Sequence, residues 1–192
     1  MHKTVQNLVN IQNFIKSKQS VLKNNYAVPK VIAVSKTFKL NHILPLIEYG
    51  HVDYGENKVQ EAVEKWSEIK STNNKIKLHL IGKLQTNKVK ISLKIFDYIH
   101  SLDNKKLAKK ISDEQVKQNL KPKLFIQVNI GNELQKSGIQ EEKLFEFYNY
   151  CKELNLNIVG IMCIPPIDDD PKVSFSKMSK LKEKMNFKEI SM

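Results

Sequence analysis

Short apolar runs alternate with amphipathic helical segments along this chain, and this alternation restricts its fold more than any other feature. The first apolar run, at residues 31–34, is rich in β-branched side chains and lies between Pro29 and Ser35. Such a run is typical of a strand that is buried on both faces in a parallel sheet. Strands that alternate with helices predict an α/β fold in which helices cover a parallel sheet.

Seven strand–helix units can be identified in the sequence. Apolar residues that recur near a 3.6-residue period predict helices, and we expect these over residues 5–22, 40–47, 59–66, 84–93, 104–118, 141–154 and 174–185. Short apolar runs predict strands over residues 31–34, 51–54, 76–81, 95–99, 124–128 and 158–162, and from 187 to the end. This pattern fits an open doubly wound sheet or a (β/α)8 barrel that lacks its eighth strand.

Lysine dominates the charged residues. The chain has 32 Lys and Arg residues against 20 Asp and Glu, which gives a formal net charge of +12, and every basic residue is Lys. Nucleic-acid surfaces usually use Arg, whose planar group makes bidentate contacts to phosphate and guanine. We therefore expect a solvated Lys-rich surface with nonspecific attraction to polyanions and no specific nucleic-acid site.

Targeting and metal-binding patterns do not occur in the sequence. No apolar run approaches the roughly 20 residues of a membrane helix, and the first ten residues lack the apolar core of a secretory signal. Cys151 and Cys163 form no CxxC motif, which favours a reducing compartment. The five His residues show no HxxxH or HExxH spacing, so we predict no metal site. We expect a cytoplasmic protein without membrane contact.

Lys36 is the first candidate for chemistry, because it follows the first predicted strand. Ligands of parallel α/β folds bind at the carboxyl ends of the strands. A lysine at the rim of an apolar core would be partly desolvated, which lowers the pKa of its amine and makes it a nucleophile towards carbonyl carbons.

Polar residues also follow several later strands. Gly55, Glu56 and Asn57 follow the second predicted strand, a segment at 79–88 follows the third, and residues 127–129 and 136–138 follow the fifth. Asn57 is also suited to cap the next helix. GxGxxG, P-loop and GxSxG motifs are absent, so dinucleotide, P-loop and nucleophile-elbow chemistry are not predicted.

Taken together and in order, these segments resemble the pyridoxal phosphate homeostasis protein family, which is related in fold to the barrel domain of alanine racemase. The matching segments are AVSKT at 33–37, YGENKVQE at 54–61, HLIGKLQTNK at 79–88, HSLDN at 100–104, QVNIGNELQKSGI at 127–139, GIMCIPP at 160–166, FSKMSKL at 175–181 and the terminal ISM.

The resemblance implies a TIM-type (β/α)8 barrel that binds pyridoxal 5′-phosphate (PLP). Lys36 matches the family's Schiff-base lysine, and Asn57 matches the Asn of the GEN segment beside the cofactor. Further matched residues, in segments that line the same mouth, are His79, Asn87, Ser137 and Met162. No catalytic residue is implied, because the family carries or buffers PLP and has no established reaction.

This sequence departs from the family pattern in three places. Leu78 stands where the family commonly has Trp, and Asn104 stands where it commonly has Arg. Family members also continue past the terminal ISM with residues that grip the phosphate. We therefore expect a single barrel domain over residues 1–192 that is truncated at its C-terminus and binds PLP weakly, whereas a complete barrel would be monomeric.

The leading functional hypothesis is a non-enzymatic PLP-binding protein of intracellular PLP homeostasis. The first alternative is a PLP-dependent enzyme of the alanine racemase fold type, although such enzymes use a second domain to supply a catalytic base. The second alternative is a basic nucleic-acid-binding protein, which the charge alone suggests.

Overall fold

Seven parallel strands form one sheet among the residues described by the computed structural model, which are 1–22, 28–131, 133, 137–166 and 170–192. The strands are β1 (Ala33–Val34), β2 (Asp53–Glu56), β3 (Lys77–Leu80), β4 (Tyr98–Leu102), β5 (Lys123–Gln127), β6 (Ile158–Met162) and β7 (Glu189–Ser191). The helices are α1 (Lys3–Leu22), α2 (Leu40–Glu48), α3 (Val59–Thr72), α4 (Val89–Ile95), α5 (Lys105–Gln118), α6 (Leu144–Glu153) and α7 (Pro171–Met185). Short 3-10 turns at Thr86–Lys88 and Glu141–Lys143 precede α4 and α6.

The order of the strands decides between the two predicted architectures. Each strand pairs in parallel with the next one along the chain, in the order β1-β2-β3-β4-β5-β6-β7. A doubly wound sheet would reverse its order at a switch point. Because right-handed crossovers in one direction place the helices on one side of the sheet, this sequential order confirms an incomplete TIM-type barrel.

Side chains that meet across the interior show that the sheet is curled. His100 on β4 and Ser191 on β7 lie 2.8 Å apart, between Nδ1 and Oγ. In a flat sheet these strands would be separated by three spacings, or about 14 Å. The hydrogen bond between them is therefore possible only because β4 and β7 face each other across a curved interior.

The main hydrophobic core lies between the sheet and its helices. Trp66 of α3 is fully buried against Tyr54 of β2, with ring centroids 4.7 Å apart. A second, smaller apolar cluster lies on the interior face and consists of Tyr98, Phe125, Val159 and Met162. The interior face therefore combines a few apolar residues with the polar groups described below.

Local sequence explains several helix ends. Asn119 and Asn186 adopt left-handed conformations, with φ of 51° and 53°, directly after α5 and α7. Asn is the residue that most often replaces Gly at this position. Asn104 caps the start of α5 by accepting a hydrogen bond from the Leu107 amide at 2.8 Å. Helix α2 continues through Pro45, although a proline there removes one backbone hydrogen bond.

The predicted elements all occur, but several bounds differ from the prediction: β1 begins two residues later, α4 begins five residues later, and two strands are displaced as a whole. Strand β2 begins two residues later than predicted and ends at Glu56, and β4 lies three residues further along the chain than predicted. In contrast, β6 has the predicted bounds. Within the described parts of the chain, no helix has the length and apolar character needed to cross a membrane.

Candidate functional site

Lys36 lies in the turn directly after β1, at the carboxyl edge of the sheet. The neighbouring Ser35 is buried and faces the outer layer, where its hydroxyl donates a hydrogen bond to Glu56 at 2.8 Å. Lys36 and Thr37 form the turn that follows, which is closed by a hydrogen bond from the Phe38 amide to the Ser35 carbonyl at 3.2 Å. The Lys36 side chain is exposed and has no hydrogen bond or ion pair with the described residues. The partial desolvation expected from the sequence is therefore not observed.

A buried polar cluster holds the backbone on either side of Lys36. Glu56 Oε1 accepts hydrogen bonds from Ser35 Oγ at 2.8 Å, Lys65 Nζ at 2.9 Å and Trp66 Nε1 at 2.9 Å. Lys65 Nζ also donates to the Ser35 carbonyl at 2.8 Å and to Glu61 at 2.9 Å. We call these residues the outer cluster: Ser35, Glu56, Glu61, Lys65 and Trp66. The outer cluster holds the backbone of the turn through hydrogen bonds and makes no contact with the Lys36 amine.

Thr37 shows that this turn is strained. It has φ of 66°, a left-handed conformation that is unfavourable for a β-branched residue. Its amide donates a hydrogen bond to Glu61 Oε1 at 2.6 Å, and the hydrogen bond from Lys65 lowers the pKa of the Glu61 carboxyl. Strained backbone of this kind persists only where surrounding contacts hold it, and it is common at functional sites.

Two glycines bring the neighbouring strand ends close together. A Cβ on Gly82 would overlap the backbone carbonyl of Asn57, so only glycine permits this approach. A Cβ on Gly55 would lie 3.1 Å from Ile32 Cγ2 and 3.5 Å from Val34 Cγ2, so Gly55 packs closely against the chain segment that leads to Lys36. The Asn57 Oδ1 atom is buried and has no hydrogen-bond partner among the described residues.

A chain of hydrogen-bonded side chains crosses the interior from β2 to β7. The distances are 3.0 Å from Asp53 Oδ1 to His79 Nε2, 3.0 Å from His79 Nδ1 to His100 Nε2, and 2.8 Å from His100 Nδ1 to Ser191 Oγ. We call these four residues the interior chain. The His79 ring stacks on Tyr98 with centroids 4.2 Å apart, and the His100 ring stacks on Phe125 at 4.4 Å. Both imidazole planes are therefore fixed.

Burial and neighbouring charges determine the protonation of this chain. Burial, together with the nearby His79, lowers the pKa of His100 to about 3. Burial acts to raise the pKa of Asp53, but the hydrogen bond with His79 and the charge of Lys30 outweigh it and lower that pKa. Lys30 Nζ lies 3.4 Å from Asp53 Oδ1. Near neutral pH, Asp53 is therefore a carboxylate and His100 is a neutral imidazole.

The structure brings some of the predicted site residues together and separates others. His79 lies on the interior face, and Met162 is buried there at the end of β6. Ser137 lies in the segment after β5, where its carbonyl accepts a hydrogen bond from Gln127 Nε2 at 3.3 Å. Asn87 is exposed and lines a groove with residues of α5. It therefore lies towards the helical layer, apart from His79.

Sequence reasoning did not identify the partners that hold these residues. Asp53, His100 and Ser191 were not singled out individually, and neither was Lys65 of the outer cluster. The available signal was the presence of polar residues inside predicted strands, because buried polar groups are nearly always hydrogen-bonded. No group of three His, Cys, Asp or Glu side chains in the described ranges is arranged to hold a metal ion.

Comparison with known proteins identifies relatives of this chain in both sequence and fold. The family model for the alanine racemase N-terminal domain matches residues 7–190. The pyridoxal phosphate homeostasis protein of Aquifex aeolicus is 37% identical over 160 residues, which are 81% of this chain and 69% of that protein. The protein of the same name from Pasteurella multocida is 34% identical over 184 residues, 94% of this chain and 79% of that protein.

Among solved structures, PipY of Synechococcus elongatus, solved with PLP bound, superposes with a TM-score of 0.74 at 27% identity. The match covers 93% of this chain and 88% of PipY. The family model spans nearly all of this chain, and two relatives exceed 30% identity over most of their own length. This chain therefore belongs to the alanine racemase N-terminal domain family and, within it, to the pyridoxal phosphate homeostasis proteins.

Proposed function

We propose that this chain binds PLP at the carboxyl edge of its sheet, attached covalently to Lys36, and holds it for intracellular PLP homeostasis without catalysing a reaction. The names of its relatives and the PLP-bound PipY structure support this assignment. The observation that carries it is the Lys36 amine, which is exposed and has no partner among the described residues, on a turn whose backbone is hydrogen-bonded to Lys65 and Glu61.

The residues around Lys36 fit such a ligand. PLP supplies an aldehyde carbon with which a lysine amine condenses, with the loss of one water. Lys36 would provide that amine, and the unpartnered Asn57 Oδ1 would accept a hydrogen bond from a donor on the ligand. A side chain at position 55 would crowd Ile32, Ile81 and Val34, so glycine is needed where β2 passes this segment. We further propose that His79, Ser137 and Met162 line the same mouth, whereas the outward position of Asn87 makes it the weakest member of the predicted set.

A lysine-specific test follows, because 32 basic residues compete for any aldehyde. The protein is incubated with PLP, reduced with borohydride and digested, and mass spectrometry locates the adduct. We expect most of it on Lys36 and expect Lys36→Gln to abolish the visible absorbance band. Lys39→Gln is the matched control, because Lys39 is exposed three residues further on and should leave the band unchanged. An adduct spread evenly over the lysines would overturn the proposal.

A second arm separates a carrier from an enzyme, because the solved structures of this fold include alanine racemases. The PLP-loaded protein is incubated with L-alanine, and chiral chromatography measures D-alanine. We expect no turnover above that of free PLP. Turnover that Lys36→Gln abolishes would instead identify an enzyme of the racemase type.

We also propose that the protein is cytoplasmic and has no specific nucleic-acid partner, and that a complete barrel of this kind is monomeric. Cys151 and Cys163 are free and buried, and burial raises the pKa of Cys151 to about 12. Protonated, enclosed thiols suit a reducing compartment. Several surface lysines are paired with carboxylates, as Lys105 is with Glu146. This pairing leaves less of the positive charge available to a polyanion.

A further inference from the structure

The interior chain is the feature of the molecule that the proposed function does not use. Its members come from four different strands: β2, β3, β4 and β7. Asp53, His79 and His100 are buried, whereas Ser191 is only partly buried and forms the end that is open to the interior. Four side chains that are far apart in sequence therefore make one continuous path from a buried carboxylate to an accessible hydroxyl.

The donor and acceptor roles along this path follow from its carboxylate end. An ionised carboxylate only accepts hydrogen bonds, and a neutral imidazole has one N–H and one acceptor nitrogen. When the His79 ring carries a single hydrogen, it donates from Nε2 to Asp53, which leaves its Nδ1 as an acceptor. His100 must then donate from Nε2 to His79, which leaves its own Nδ1 to accept the Ser191 hydroxyl hydrogen. Every hydrogen along the path points towards Asp53.

We propose that Asp53 is a positioning residue that sets the tautomers of His79 and His100 and thereby makes Ser191 Oγ a hydrogen-bond acceptor towards the interior. The Ser191 hydrogen is committed to His100, so only the oxygen lone pairs are available to a ligand. The group that fits beside Ser191 is consequently a donor such as an ammonium or a protonated ring nitrogen, and an anionic oxygen is disfavoured. This assignment does not depend on where PLP is attached.

The proposal can be tested because the opposite arrangement of hydrogens along the path places them on different nitrogen atoms. If His79 were doubly protonated, its Nδ1 would donate to His100, and His100 Nδ1 would donate to Ser191. Long-range proton–nitrogen correlation NMR distinguishes these cases, because it reports which nitrogen of each ring carries hydrogen. The sample is the histidine-labelled full chain without added ligand near neutral pH, and spectra of His79→Asn and His100→Asn assign the two rings. We expect hydrogen on Nε2 and none on Nδ1 in both.

Variants at the two ends of the path test which end determines the tautomers of His79 and His100. Asp53→Leu removes the terminal acceptor, and we expect it to populate Nδ1-protonated forms of both rings. Ser191→Ala should leave both tautomers unchanged, because Ser191 only follows the order that Asp53 imposes. Asp103→Asn is the matched control, since Asp103 contacts its neighbour Asn104 outside the path. Wild-type rings with hydrogen on Nδ1, or tautomers altered by Ser191→Ala and not by Asp53→Leu, would overturn the assignment. The wild-type spectrum decides the matter if Asp53→Leu does not fold.

The ligand class is tested with two small probes on the same sample. Methylammonium carries a donor and inorganic phosphate carries acceptors. We expect methylammonium to shift the His100 Nδ1 and Ser191 amide signals in a saturable way, and Asp53→Leu to remove that response. Phosphate should leave these signals unchanged even though the chain is strongly positive. A local response to phosphate, or to neither probe, would refute the acceptor role of Ser191. Neither result would alter the test of Lys36, which uses a different readout.

Discussion

The two faces of strand β2 each carry one carboxylate, and the two carboxylates are used differently. Glu56 faces the helices, where an ammonium, an indole N–H and a hydroxyl all donate to its Oε1 atom. Asp53 faces the interior, where it begins a hydrogen-bonded chain of two imidazole rings that ends at Ser191. The Glu56 carboxylate is neutralised by its immediate neighbours, whereas the Asp53 carboxylate sets hydrogen positions as far away as Ser191 on β7.

This difference indicates which carboxylate maintains the fold and which affects the site. In the outer cluster, Lys65 would keep only Glu61 and the Ser35 carbonyl as partners, and the Trp66 N–H has no other hydrogen bond with the described residues. Water cannot replace the lost carboxylate, because both side chains are almost completely buried. In the interior chain, the rings can reverse their hydrogen positions without leaving their places. We therefore expect changes in the outer cluster to alter stability most, and changes in the interior chain to alter protonation.

The largest expected effect is that of Glu56→Gln in the outer cluster. The substitution removes the buried one of the two carboxylates that contact the Lys65 ammonium and leaves the partly exposed Glu61. Removing one partner of a buried ion pair destabilises a protein by about 3–5 kcal/mol, and we expect the lower end of this range because Glu61 stays in contact with Lys65. Urea unfolding of the variant and the wild type, compared through the free energy of unfolding, measures this loss.

Glu61→Gln is the matched control for that measurement. Glu61 binds the same Lys65 Nζ atom at the same 2.9 Å distance, but its side chain is 26% exposed whereas that of Glu56 is fully buried. A partly exposed pair contributes about 1 kcal/mol or less. Equal losses in the two variants would show that burial does not distinguish the two carboxylates, and the comparison between the two faces of β2 would lose its basis.

An intermediate effect is expected from His100 in the interior chain, and it depends on pH. The folded pKa of His100 is about 3, against an ordinary value of 6.5. Between these values the unfolded chain binds a proton that the folded chain does not. The free energy of unfolding therefore falls as pH decreases from 6.5, by up to about 1.4 kcal/mol per pH unit.

The measurement is the slope of unfolding free energy between pH 7 and pH 5, roughly the upper part of that window. His100→Phe keeps a ring against Phe125 but removes the titrating group, so its slope should be shallower by about 1–2 kcal/mol over this range. His42→Asn, on the exposed face of α2, should keep the wild-type slope. Parallel curves for His100→Phe and the wild type would show that His100 is not held neutral in the folded state.

The same contrast explains which parts of the fold could be predicted from sequence. Strand β6 is apolar throughout apart from one glycine, and its bounds were predicted correctly. Strands β2 and β4 contain Asp53, Glu56 and His100, which are buried because they are hydrogen-bonded. A search for apolar runs therefore placed both strands too early. The misplacement arose where polar residues are inside the molecule.

The site was partly predictable for a related reason. The position of Lys36 follows from strand order alone, because the carboxyl ends of parallel strands share one edge. The residues that hold its turn cannot be deduced from strand order, because Lys65 lies 30 residues from Ser35 and contacts it only through the packing of α3 on β2. Sequence spacing likewise could not show that Asn87 faces α5. Contacts between distant residues depend on the packed geometry, which no local pattern contains.

The smallest expected effect concerns the hydroxyl of Tyr98, beside the interior chain. Tyr98 Oη accepts a hydrogen bond from Lys123 Nζ at 3.0 Å, and Lys123 is exposed. Tyr98→Phe removes this bond but keeps the ring on which His79 stacks. Because water replaces the lost partner of an exposed ammonium, we expect a loss of about 1 kcal/mol or less in urea unfolding. The tautomers of His79 should not change, since Asp53 and not Tyr98 sets them. A larger loss of stability together with altered tautomers would place Tyr98 within the interior chain, and the interior network would then be wider than the four residues assigned to it.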